Sequence, residues 1–465
     1  MKNNLKLLTL IPFLLVGLSC STTSKQSFSS EQKTGESESL SFDDTLPEEC
    51  EEEHVLQDDE YRLVLPTYQN LNRRYYEVYL KYNDNYFTTD STKFNKDLAL
   101  LSYGQSIISE FVSEETTFYQ RFGFDNPFFC SDYRITPNPD TLGYNFAHKT
   151  IGEENIIAIC IRGFGYGQEW ANNFMLGDEG NHEGFNARIN EVMTSLTSYI
   201  NNASYSNKDI KFWIAGYSRG GAIANMLAQR ILKDEFYGVD ESKMYAYTFE
   251  APRGLTKENA LPYKSVFNVV NKADVVPMVA PQEYGLYRCG IDVEIYKDNI
   301  RELLHRYDHG IILPKFTYMK DWFDSEEQIA SGLMNLLLRP VDKGESYSMH
   351  TRELFAENYQ GTIIFLMELF NRLSNRELNL IIDALKNNIL NILFNEDALY
   401  ETIYPILENN GYHYPSSDVK RHCSQIIKMI KGPAVNVKYT LLNQNLQLMI
   451  TNHYPDINYI LLKNL

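Results

Sequence analysis

Gly216-Tyr217-Ser218-Arg219-Gly220 decides how this chain is read. The stretch before it, Ile210 to Ala215 (IKFWIA), is an apolar run of strand length. The stretch after it, Gly221 to Leu232 (GAIANMLAQRIL), places Ile223, Leu227 and Ile231 at helical spacing. A serine between such segments sits on a sharp strand-to-helix turn with its hydroxyl presented at the carboxyl edge of a sheet. Side chains two residues to either side would collide there, which accounts for Gly216 and Gly220. Ser218 is therefore a candidate nucleophile, and it needs a base, with an acid to hold that base.

Strand-like and helix-like stretches flank the elbow. Tyr144 to Ile151 and Ile156 to Ile161 precede it as strands, and Asn190 to Ile200 reads as a helix. Lys243 to Phe249 (KMYAYTF) and Val266 to Val270 (VFNVV) follow as strands. The unbroken apolarity of Ile156 to Ile161 suits a strand covered on both faces, and alternation of strands with helices predicts an α/β layer with a mostly parallel sheet. Tyr61 to about Val112 is expected to be helical, from Leu98, Leu100, Leu101, Ile107 and Ile108. Beyond residue 283 the periodicity is helical over Thr362 to Leu373, Leu378 to Phe394 and Ala434 to Ile450. The predicted organisation is a core over 61–282, a helical insertion or cap over 283–450, and a C-terminal segment over 451–465.

The N-terminus is of another kind. Lys2 and Lys6 precede the apolar stretch Leu7 to Leu18, which ends at Ser19-Cys20. Residues 1–20 read as a signal peptide, too short for a comfortable membrane span. A cysteine after a small residue at that point resembles the lipobox of bacterial lipoproteins. The resemblance implies lipidation at Cys20 and anchoring at the outer face of a membrane, with ordinary secretion as the other outcome. Of the net charge of −18, half lies in residues 1–60, where 13 acidic residues face four lysines. With few large apolar residues, 21–60 is expected to be a flexible acidic tether. No basic stripe is present to neutralise phosphates, so no nucleic acid is expected as a partner.

The remaining cysteines, Cys50, Cys130, Cys160, Cys289 and Cys423, form no CxxC pair, and neither a metal nor a cofactor is expected. Cys160 reads as a buried thiol. In an oxidising compartment Cys130 has Cys289 or Cys50 as possible disulfide partners.

The acid is expected in a loop just past a strand. Asp274 lies there, four residues beyond Val270. Taken together, Arg162-Gly163, His182-Glu183-Gly184-Phe185, Gly216 to Ala222, Tyr247 to Arg253 (YTFEAPR) and Asp274-Val275-Val276-Pro277 stand in the order found in class 3 (fungal-type) lipases. The run Arg162 to Gly177 (RGFGYGQEWANNFMLG) and the arginine after the serine are similar to a bacterial branch of that family. The resemblance implies an α/β-hydrolase fold and an ester hydrolase acting through an acyl-enzyme, with Ser218 as nucleophile and Asp274 as acid. It implies an oxyanion hole from the backbone N–H groups of Arg219 and Phe164. At Phe164 the chain departs from the commoner Ser or Thr, which removes a side-chain contact and leaves the backbone donor. For the base, Asn452-His453-Tyr454-Pro455-Asp456-Ile457-Asn458-Tyr459 is similar to the ending that bacterial relatives place after a long helical insertion, with one extra residue before the tyrosine. That favours His453, and His309 and His350 are the alternatives nearer Asp274. His182 precedes Asp274 and reads as structural. Phe164, Tyr166, Trp170 and Tyr217 are candidates for an acyl pocket or for the core. Phospholipase, acyltransferase and a surface protein that keeps the scaffold for binding alone are the other functions open at this point.

Overall fold

A computed structural model of the chain describes residues 54–66, 76–135, 140–163, 167–202, 209–272, 274, 276–278, 280, 282–295, 360–395, 397–431 and 452–465. Seven strands form the main sheet in the order β3 (Asp125–Phe129), β4 (Tyr144–Ile151), β5 (Glu154–Ile161), β6 (Asp209–Tyr217), β7 (Met244–Phe249), β8 (Val266–Val270) and β9 (Ile291–Glu294). The β3/β4 and β4/β5 pairs are antiparallel, and the four pairs from β5 to β9 are parallel. This mostly parallel sheet with helices on both faces is the α/β-hydrolase architecture.

Side chains alternate across the sheet with a period of two. On β6, Phe212 and Ile214 pack with α4 (Ile189–Asn202) and α5 (Arg219–Lys233) on one face. Trp213 and Tyr217 face the other side, towards α1 (Lys96–Ile108), α2 (Val112–Arg121) and α10 (Pro455–Lys463). β5 and β7 repeat the pattern: Ile157, Ile159 and Ile161 join the first face, and Tyr245, Tyr247 and Phe249 the second. Both faces are thus covered, as the unbroken apolar run Ile156 to Ile161 requires. In α10, Ile457, Ile460, Leu461 and Leu462 are buried, each worth about 1.5–3 kcal/mol when fully withdrawn from water.

Register places the site. Ile161 is opposite Gly216, Tyr217 opposite Phe249, and Phe249 opposite Val269. The carboxyl ends of β5, β6, β7 and β8 therefore come level, and the loops leaving them open at one edge of the sheet. Ligands of open parallel sheets bind at that edge.

Three expectations are corrected. The stretch from Tyr61 to about Val112 is not one helix: β1 (Glu60–Leu65) and β2 (Tyr76–Lys81) form an antiparallel pair within it, and α1 begins only at Lys96. Along β1, Leu63 and Leu65 turn inward and Arg62 and Val64 outward, a period of two overridden in the sequence reading by the apolar side of α1. The sheet also runs past residue 282, since β9 lies beyond that boundary. Cys130 and Cys289 are not bonded to each other; both are free and buried. Cys130 follows β3 and Cys289 precedes β9, on opposite edges of seven strands, roughly 25–30 Å apart at the usual strand spacing. A disulfide needs Cα atoms within about 7 Å. Cys160 and Cys423 are likewise free and buried, and Cys50 lies outside the described residues.

A helical unit follows: α6 (Gly361–Arg372), α7 (Asn375–Phe394), α8 (Ala398–Asn409) and α9 (Ser416–Lys431). Leu369, Ile381, Ile392, Leu399, Leu407, Val419 and Ile427 give it a core of its own. Ser374 and Glu377 start α7 with a capping box. α6 packs against the 3₁₀ turn Gly167–Phe174 that follows β5. The helix expected over Ala434 to Ile450 lies outside the described residues.

Candidate active site

Ser218 stands between β6 and α5 with φ 56° and ψ −128°, a strained conformation for a residue with a side chain. Backbone bonds fix it: its N–H donates to Phe249 O at 2.8 Å, and its carbonyl accepts Ala222 N–H at 3.1 Å. A Cβ on Gly216 would lie 2.4 Å from Gly220 O, and one on Gly220 would lie 2.3 Å from Ile161 O. No side chain fits at either position, so both glycines serve the close approach the sequence required.

His453 reaches the same point from the far end of the chain. Its Nε2 lies 2.8 Å from Ser218 Oγ, and its Nδ1 lies 2.5 Å from Asp274 Oδ2. With Nδ1–H donating to the carboxylate, Nε2 is the unprotonated nitrogen and accepts the serine hydroxyl. The other oxygen of Asp274, Oδ1, accepts Val276 N–H at 2.9 Å. Asp274 is fully buried, and Ser218 and His453 are 5% and 6% exposed.

A net of hydrogen bonds holds His453 in place. Tyr217 Oη donates to the His453 carbonyl. Asn458, in the first turns of α10, donates to Tyr217 Oη at 3.2 Å and to Asn452 O at 3.0 Å. Asn271 Nδ2 donates to Asn458 Oδ1 at 2.8 Å and to Asn452 O at 3.3 Å. Tyr103 Oη donates to Pro455 O at 2.8 Å. Tyr217 is fully buried behind the imidazole, so of the two roles open to it, it takes that of core.

A second carboxylate stands beside the first. Glu250, directly after β7, is fully buried, and Asn271 N–H, in the turn that leads to Asp274, lies within reach of both its carboxyl oxygens. Burial, and then the negative charge of Asp274, push its acid well above the usual carboxylate range. The signal in the sequence was a lone charged residue closing the apolar run MYAYTF.

The loop after β5 is tied down by charge. Arg162 pairs with Glu169, and Arg219 Nη1 lies 3.4 Å from the same carboxylate. Thr141 donates to Glu169 at 2.8 Å, and the Arg162 guanidinium lies 4.8 Å from the Tyr133 ring centre. All three charged groups are buried, and burial lowers the Arg219 pKa. Arg162 thus organises this loop. Phe164 and Tyr166, and the side chain of Trp170, lie outside the described residues.

Among the described residues, no histidine other than His453 bonds Ser218. His182 caps α3 (Glu183–Asn186), with its ring 3.7 Å from that of Phe185 and its Nε2 3.1 Å from Asn173 O. His422 pairs with Thr362 in the helical unit, and His413 is exposed. His305, His309 and His350 lie outside the described residues. A cavity of about 310 Å³ bounded by Asn186, Met226, Gln229, Lys233 and Asn259 touches no residue of the serine constellation.

Residues 158–284, which carry the serine and the aspartate, match the family described as Lipase (class 3). This stretch is class 3 lipase-like. A curated relative, secreted mono- and diacylglycerol lipase 1 of Fusarium solani, is 27% identical over 145 residues, covering 28% of this chain. The chain spans 40% of that lipase's length. Among solved structures, the lipase of Rhizopus microsporus var. chinensis aligns over 44% of this chain and 77% of its own, at 18% identity and a TM-score of 0.35. Lipase II of Rhizopus niveus aligns over 50% and 83%, at 16% identity and a TM-score of 0.30.

Proposed function

We propose that this chain is a carboxylic ester hydrolase of the lipase type, working through an acyl-enzyme. The observation that carries the reading is the unbroken relay from Ser218 Oγ through His453 to Asp274, at 2.8 and 2.5 Å. In this reading Ser218 Oγ attacks the ester carbonyl carbon as His453 Nε2 takes its proton. Asp274 holds the imidazole and stabilises its charge. The oxyanion is received by the backbone N–H of Arg219, which opens α5, and by that of Phe164. The intermediate collapses, His453 returns the proton to the leaving alcohol, and water then releases the acid by the same route. Class 3 lipase likeness over 158–284 supports ester chemistry.

The finer parts belong to the same proposal. The helices between Asp274 and His453 act as a cap that limits substrate size, supported by the packing of α6 on the turn after β5. Cys20, at the end of its apolar stretch, is lipidated in a bacterial lipoprotein and holds the enzyme at the outer face of a membrane through the 21–60 tether.

Labelling with a fluorophosphonate probe tests the core of the reading. The parent should label, Ser218→Ala should not, and His453→Ala should label at least about 10³ times more slowly, with the double variant turning over esters no more slowly than either single one. A parent that never labels, or a His453→Ala variant that labels at full rate, defeats it. For the anchor, Cys20→Ala should move the protein from the detergent phase to the aqueous phase.

A further inference from the structure

Glu250 has no part in the relay, yet it is placed with more constraint than its neighbours. It is fully buried at the carboxyl edge of the sheet. Its φ of 49° lies in the left-handed region, which glycine enters without strain and glutamate does not. Its backbone N–H donates to Val269 O at 3.0 Å, and both carboxyl oxygens lie within reach of Asn271 N–H, at 3.1 and 3.0 Å. Asn271 in turn accepts Asp274 N–H through its carbonyl, so one short turn ties the two acids together. Arg288 clamps the loops from outside, donating to Ala251 O at 3.0 Å and to Pro277 O at 3.2 Å while it pairs with Asp292.

Two fully buried carboxyl groups tied to one short turn cannot both be ionised without a large Coulomb penalty, and sharing one proton removes it. The titratable and charged groups around Glu250 are Asp274, Arg288, Tyr103 on α1, Tyr217 on β6, and His453 and Asp456 in the C-terminal segment. Arg288 is engaged by Asp292 and two carbonyls, and Asp274 is committed to the imidazole. Glu250 is left as the member that keeps the proton, and burial pushes it the same way.

We propose that Glu250 is a positioning residue: it stays protonated, donates its O–H to the Asp274 carboxylate, and so fixes the rotamer in which Asp274 receives His453 Nδ1–H. During acyl transfer the proton stays on Glu250; only the serine proton moves, to His453 Nε2. The idea rests on the serine-hydrolase reading above.

Three proteins test it: the parent, Glu250→Gln and Glu250→Ala, each checked for folding by thermal melting. With a p-nitrophenyl ester, alanine should lower kcat by about 10–100-fold at nearly constant KM, and glutamine, which still donates N–H, should recover at least about tenfold of that loss. The parent should lose activity on the alkaline side as Glu250 ionises, and the glutamine variant, with no proton to lose there, should not. Glutamine as poor as alanine, or superimposable parent and glutamine pH profiles, would overturn the proposal. If alanine does not fold, the comparison of the parent with glutamine decides alone. Carboxyl ¹³C NMR of the parent against Glu250→Gln reads the proton even if no ester is turned over. A Glu250 carboxyl that titrates in the ordinary glutamate range sinks the proposal, whereas failure to label Ser218 sinks the hydrolase reading instead.

Discussion

Ser218 and His453 end 2.8 Å apart, but the two sides of that contact are built differently. On the serine side the geometry is local: β6, the strained serine, Gly216, Gly220 and α5 are consecutive in the chain, and the turn is forced by backbone packing. On the histidine side almost nothing is local. His453 sits just ahead of the short helix α10 and is held by Tyr103, Tyr217 and Asn271, each more than 180 residues away. A nucleophile elbow is a property of a segment, whereas the base is a property of the folded whole.

Breaking the local side should have the largest effect on stability. Gly220→Ala drives a methyl group to 2.3 Å from Ile161 O, where backbone must move on both sides. We expect a loss of about 3 kcal/mol or outright failure to fold, read by urea unfolding. A variant within experimental error of the parent would mean the elbow is looser than described. On the long-range side, Tyr217→Phe removes the donor to the His453 carbonyl and the acceptor for Asn458 while keeping the ring. It should lower kcat about tenfold at little change in KM, the equivalent of one buried hydrogen bond of about 1.4 kcal/mol. Unchanged kcat would show that α10 positions the base without this clamp. The smallest effect is expected at Pro455, the first residue of α10. Its carbonyl, which accepts from Tyr103, survives replacement, so Pro455→Ala should cost only about 0.5 kcal/mol through the freed unfolded chain and leave kcat in place.

The same contrast explains what was legible in advance. Strands β4 to β8 and the elbow announce themselves because each is a short stretch rich in aromatic, β-branched or other apolar residues. Ser218 and Asp274 inherit that legibility, since they leave the ends of β6 and β8. β1 and β2 were hidden because six-residue alternation is a weak pattern beside a long helix. The roles of Glu250, Asn271 and Asn458 were hidden for another reason: single polar residues have no period, and their meaning comes from what folding puts beside them. His453 was favoured over its rivals by the residues that follow it rather than by spacing. The described residues bring it to Ser218, while His309 and His350 lie outside them.

Ribosomal order gives α10 a further consequence. The serine and the two acids leave the ribosome some 180 residues or more ahead of the histidine that completes their relay. On the proposed reading, the emerging polypeptide carries a nucleophile with no base, and hydrolysis starts only when residues 452–465 dock and seal the second face of the sheet. Maturation and activation are then a single event, completed by the docking of that segment.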